Sequence, residues 1–190
     1  MEVIDVLTIL KKPATVEDLY HVPEDGKAEL VEGELRLMAP TGDEPITASG
    51  NIFVSLKLYQ RAGHRGLAVT DNGGFIVDLP NRRSFSPDAS YFMGKRAGMK
   101  FYHGAPVFAA EVRSEHQYGP AAERDMAAKR ADYFAAGTLV AWDVDLLGDD
   151  VVRVYRSDKP ETATIYHRGE VAEAEPAVPG WTMPVDELFE

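Results

Sequence analysis

The chain has 190 residues, 45 % apolar and 27 % charged, the composition of an ordinary globular protein long enough to bury a substantial core. It contains no cysteine, which excludes disulfides, thiolate metal sites and a cysteine nucleophile. A net charge of −11 runs against the basic surface with which nucleic-acid binders neutralise phosphates, so such a function must rest on a local site. No apolar run is long enough to span a bilayer and no basic region with a cleavage site opens the chain, which together with the missing cysteines reads as a cytoplasmic protein.

In chain order, residues 1–10 read as a strand or helix lead. Thr15 caps an acidic turn, Val16-Glu17-Asp18-Leu19, which predicts a short helix. Residues 28–38 alternate on both sides of Glu32-Gly33, the pattern of a hairpin. Pro40-Thr41-Gly42 breaks that strand. From Ile46 to about Arg61, Ile52, Phe53, Leu56 and Tyr59 recur at helical spacing. Residues 67–70 and 74–77 are two strands split by the turn Asp71-Asn72-Gly73.

A short strand follows over residues 88–92, opened by Pro87, and an apolar strand buried on both faces over 106–112. Gly119-Pro120 starts a helix that runs to Ala136, with Gly137 as its stop. Residues 139–145 form another buried strand, and 151–155 its hairpin partner across Gly148-Asp149-Asp150. Residues 162–167 add a strand, and 181–189 a loop with a short helical turn. Strand, helix and strand over residues 107–145 predict a βαβ crossover inside a mixed sheet. The expectation is one α/β domain over residues 1–190, with helices on the sheet faces and an N-terminal hairpin.

The chemistry sits in Ser86-Pro87-Asp88 and Glu111-Val112-Arg113, each at the edge of a predicted strand. Two carboxylates can hold a hard divalent ion, and a nearby cation can organise the attacking water of a phosphodiesterase. Glu111 and Arg113 share one strand face, since they are two residues apart. Lys129 falls on one helix face with Met126 and Tyr133, the face that must cover the sheet; a pair with Asp125 is the structural alternative. Glu29 and Glu34 lie in the two arms of the hairpin, and either can contribute an acid to the site. Glu32, at the turn, reads as solvated.

The five histidines are scattered without zinc spacing, and His116 is the one near the candidate site. His64-Arg65, Arg82-Arg83 and residues 95–100 are local positive clusters that read as solvated turns. No nucleophile elbow and no phosphate-cradling glycine loop is present.

On these residues the chain resembles the Uma-two-type family within the PD-(D/E)XK restriction-endonuclease-like superfamily. The landmarks are Glu29-Leu30-Val31-Glu32-Gly33-Glu34-Leu35, Ser86-Pro87-Asp88, Ala110-Glu111-Val112-Arg113-Ser114, Lys129 with Tyr133, Gly137 before Ala141-Trp142-Asp143-Val144-Asp145, and Pro179-Gly180-Trp181 with Leu188-Phe189. The resemblance implies a restriction-endonuclease-like mixed sheet flanked by helices, Mg²⁺-dependent (or Mn²⁺-dependent) phosphodiester hydrolysis and a homodimer. It makes Asp88 and Glu111 metal ligands and Glu29 an accessory acid, with Lys129 substituting for the superfamily lysine at the place of Arg113. Two places depart from the family pattern. Pro45 stands where a histidine is common, and Glu115-His116-Gln117 replaces Pro-Ser-Asp.

The leading expectation is a metal-dependent DNA endonuclease in which Asp88 and Glu111 bind the ion, Lys129 orients or deprotonates water, and Arg113 contacts the phosphate. The acidic surface and the two departures favour a rival, a catalytically inactive module with this fold that binds a protein or nucleic acid. A third reading is a metal-dependent hydrolase of a small phosphate ester.

Overall fold

The structure is a computed structural model that describes residues 13–22 and 27–190, and the lead expected over residues 1–10 lies outside them. Thr15 and Asp18 cap each other reciprocally, which starts the one-turn helix α1 (Val16–Leu19). Strands β1 (Lys27–Val31) and β2 (Glu34–Met38) then pair antiparallel around Glu32 and Gly33. Both turn residues have positive φ, 52° and 74°, as a two-residue hairpin requires. Helix α2 (Asp43–Arg61) begins three residues before its apolar periodicity, with Asp43 and Glu44 complementing the amino-terminal dipole.

The turn at Asp71-Asn72-Gly73 separates strands that belong to different sheets. β3 (Leu67–Thr70) is the edge of the large sheet, and β4 (Phe75–Ile76) is the centre of a small one. Around β4 lie β5 (Ser84–Phe85) and β7 (Tyr102–His103), two-residue strands too short to give a sequence pattern. Between them in the chain comes β6 (Ala89–Phe92), which pairs with β3.

The large sheet is completed by β8 (Phe108–Val112), β9 (Val140–Val144), β10 (Val152–Arg156) and β11 (Lys159–Tyr166), in the order β11-β10-β9-β8-β6-β3. Within this sheet only β8 and β9 run parallel, joined by α3 (Pro120–Ala135), so the predicted crossover is present. A last pair, β12 (Val171–Glu173) with β13 (Thr182–Pro184), precedes the 3₁₀ turn Val185–Phe189. This pair was not legible in the sequence.

Alternation along β8 sorts the two faces of the sheet. Phe108, Ala110 and Val112 join Ile52 and Leu56 of α2 with Trp142 and Trp181 in the larger core. Ala109 faces the other way, into a second core with Phe75, Phe85, Phe92 and Tyr133 of α3. Glu111 and Arg113 share the parity of Ala109 and therefore face α3. Asp88 shares the parity of Ser90 and Phe92 and faces the same side.

Helix α3 lies over this side, with Met126, Lys129 and Tyr133 turned toward the sheet as their spacing predicts. Tyr133 is its one fully buried side chain, because alanines and charges fill most of the remaining positions. A cavity of about 140 Å³ remains beneath the helix, lined by Glu29, Glu111, Lys129 and Tyr133 among others.

Trp142 is 1 % exposed and packs against Phe108 and Trp181 at ring separations of 5.3 and 5.1 Å. Trp142→Ala removes a large side chain from the centre of the larger core. It is expected to lower unfolding free energy by about 3–5 kcal/mol in urea titrations.

Candidate active site

Four parts of the chain meet on the α3 side of the sheet. Strand β1 supplies Lys27 and Glu29, the segment after β4 supplies Arg82, Ser86 and Asp88, β8 supplies Glu111, and α3 supplies Lys129, Asp132 and Tyr133. Asp88 precedes β6, and its backbone N–H donates to the Ala110 carbonyl, fixing the residue beside β8. Its carboxylate accepts from the Val112 N–H at 2.8 Å and from Lys27 Nζ at 2.9 Å. Lys27 also donates to Asp71 at 2.6 Å.

Lys129 is the junction of the site. Its Nζ lies 2.8 Å from Glu111 Oε2 and 2.9 Å from Glu29 Oε1. The second oxygen of Glu111 accepts from the Tyr133 hydroxyl at 2.6 Å. Glu29 is 5 % exposed, and it also accepts from the Ser86 N–H and from Arg82 Nη1 at 2.6 Å. Arg82 reaches on to Asp132 of α3 at 2.8 Å, with its guanidinium over the Phe85 ring. Phe85 in turn stacks on Tyr133, ring centroids 4.1 Å apart.

The charges of this cluster shift one another. Burial, joined by the negative charges of Asp88 and Glu29, pushes the Glu111 carboxyl up to about 6 although Lys129 opposes the rise. Burial works against the Lys129 ammonium, yet Glu111 and Glu29 outweigh it and hold the proton more tightly than on a free lysine. Lys27 is likewise held protonated against burial, by Asp88 and Glu111. Glu29 stays ionised below the usual carboxylate range because Lys129 and Arg82 overcome its burial. Burial next to Glu111 raises the Tyr133 phenol well above its ordinary value, so Tyr133 donates as a neutral hydroxyl.

Of the residues singled out in the sequence, Asp88, Glu111, Lys129 and Glu29 come together. Glu34 does not. It sits opposite Val31 in the hairpin register with its side chain exposed, whereas Glu29 points into the site. Lys129 pairs with Glu29 and Glu111 rather than with Asp125.

Arg113 is brought to the same face, but four of its hydrogen bonds go to Asp143 and Glu123, so its donors serve β9 and α3. Burial of Arg82 overturns its reading as a solvated turn residue, since Glu29 and Asp132 neutralise it inside the protein. His116 is exposed in the loop after β8. Lys27, Arg82 and Asp132 were not legible as site residues, because their partners are distant in sequence. The landmark Tyr133, one helical turn after Lys129, was the nearest available signal.

Whether the site suits a divalent ion can be judged from its donors. Mg²⁺ is commonly held by one or two carboxylates and several waters, and Asp88 and Glu111 supply two carboxylates on one sheet face, close enough for the charge of Asp88 to act on Glu111. Among the described residues, no group of three or more His, Cys, Asp or Glu is arranged to hold a metal. The residues thus fit a water-rich ion bound through two acids, and not an all-protein cage.

An α/β fold with a mixed sheet, one parallel pair and acids and a lysine gathered on the helix-covered face defines the class. Residues 14–186 match a family described as "Uma2: Putative restriction endonuclease", and the chain belongs to this family. A crystal structure of "a putative nuclease belonging to DUF820 from Anabaena variabilis ATCC 29413" is similar, with a TM-score of 0.74 and 16 % identity. The match covers 93 % of this chain and 98 % of that one, and at this identity it shows the fold. No curated protein matches the sequence.

Arg113 and Asp143 are both buried, 4 % exposed each. Arg113→Met takes the cation from Asp143 and leaves its charge inside the protein. The expected loss is about 3–5 kcal/mol in denaturant unfolding at pH 7.

Proposed function

We propose that the protein is a metal-dependent endonuclease that hydrolyses phosphodiester bonds in DNA. The observation that carries this reading is the Lys129 ammonium held between Glu29 and Glu111, with Asp88 on the same sheet face. Asp88 and Glu111 would hold Mg²⁺ or Mn²⁺, and such an ion lowers the pKa of water and offsets charge on a scissile phosphate. Lys129 stays protonated, so its part is to orient water and stabilise developing charge; proton abstraction falls outside its reach. Tyr133 fixes one Glu111 oxygen by hydrogen bonding, and Glu29, an accessory acid, holds Lys129 in place. Arg113 acts in this reading by tying α3 to the sheet through Glu123.

The same reading takes the chain as one catalytic domain in the cytoplasm. No helix among the described residues is long and apolar enough to cross a membrane. Cutting both strands of a duplex takes two such centres, which a homodimer supplies.

Plasmid DNA incubated with purified protein and Mg²⁺ or Mn²⁺ is expected to be nicked or linearised. Asp88→Ala and Lys129→Ala should each lower the rate at least about a hundredfold, the scale of losing a metal ligand or a charge-stabilising cation. Cleavage indifferent to Asp88→Ala would exclude this site. Competition by duplex DNA against a small phosphodiester separates a nuclease from a hydrolase of small esters.

The pH dependence follows from Glu111. Below about pH 6 its carboxyl carries a proton that a divalent ion must displace, so apparent affinity is expected to fall about tenfold per unit. Above about pH 7 the group is ionised and affinity levels off. Calorimetric titration with Mn²⁺ from pH 5 to 8 reads this directly, and a flat profile would remove Glu111 from the ligands.

A second reading, a non-catalytic module with the same fold, is favoured by the lack of a third clustered ligand among the described residues and by the net charge of −11. No heat of Mg²⁺ or Mn²⁺ binding at millimolar metal would decide for it.

A further inference from the structure

The outward face of α2 carries an apolar row that nothing in the described chain covers. Ile46, Val54 and Leu58 are 43, 52 and 60 % exposed. With Gly50 they stand at successive four-residue intervals, which on a helix makes one ridge. The ridge lies away from Ala48, Ile52 and Leu56, the side chains that α2 buries against the sheet.

Gly50 is the member that needs explaining. A glycine in mid-helix costs helix stability relative to alanine. A Cβ at this position would meet no atom within 4 Å, so nothing in the described chain demands its small size. A second helix crossing closely at that point would demand it.

The charges at the helix ends choose the partner. Asp43 and Glu44 stand in the first turn and Arg61 in the last, all exposed, and among the described residues none forms an ion pair. If a second α2 is laid antiparallel across the Gly50–Val54 region, Val54 of each copy drops onto Gly50 of the other. Ile46 then falls beside Leu58, and Asp43 beside Arg61, twice over by symmetry. The helix dipoles also oppose. A face that complements itself after a two-fold rotation is the signature of an isologous contact.

We infer that α2 is the interface at which two copies of this chain associate, paired antiparallel around Gly50. This inference is independent of the chemistry assigned to the site, which lies on the opposite side of the sheet.

Sedimentation equilibrium of the full chain tests it. The expected species is a dimer of twice the 20.9 kDa chain mass. Val54→Glu with Leu58→Glu, and separately Gly50→Leu, should each weaken it at least about a hundredfold, with helix content unchanged by circular dichroism. Asp43→Arg and Arg61→Asp should each weaken the dimer, and the two together should restore it, which mere surface disruption would not do. A monomer at about 100 µM would overturn the inference, whether because the face is free or because residues 1–12 cover it. A dimer insensitive to the Val54 and Leu58 changes, or a charge swap without rescue, would overturn it equally.

Discussion

The site depends on one ammonium group shared by two carboxylates, Glu29 buried and Glu111 half-buried. Glu29 on β1 and Glu111 on β8 are far apart in sequence, and each alone would be costly to remove from water. Lys129 meets both at hydrogen-bond distance and makes their proximity tolerable. The arrangement also explains why the surrounding groups are where they are. Arg82 balances the charge that Lys129 leaves on Glu29, Tyr133 satisfies the free oxygen of Glu111, and Lys27 holds Asp88. Burial, joined by the neighbouring acids Asp88 and Glu29, still raises the proton affinity of Glu111 against the pull of Lys129.

The architecture was legible where periodicity or a turn is strong. The Glu32-Gly33 hairpin, the β8–α3–β9 crossover and the β9–β10 hairpin follow from alternation, apolar runs and glycine stops. Two-residue strands such as β5 and β7 carry no period, and β12 with β13 lies in a stretch where prolines and acids interrupt the pattern. The turn at Asn72 was recognised, but no local signal says that the chain changes sheets there.

The candidate site was legible as residue types and strand edges, which found Asp88, Glu111 and Lys129. The choice between Glu29 and Glu34 was settled by the direction of β1 and by the segment Arg82–Ser86 that pairs with it, information absent from the hairpin itself. Arg82 looked like a surface residue because its two carboxylate partners lie about fifty positions away on either side. Parity along β8 placed Glu111 and Arg113 on one face correctly; it did not reveal that Asp143, in register with Glu111 on β9, claims the arginine.

Helix α3 is anchored unusually. Charged contacts hold it near its start through Glu123, at its middle through Lys129 and near its end through Asp132, while Tyr133 alone is fully buried. Directional polar links release abruptly once their geometry is lost, and little dispersion attraction remains to slow the separation. The helix is therefore expected to exchange its amide hydrogens with solvent ahead of the strands it spans.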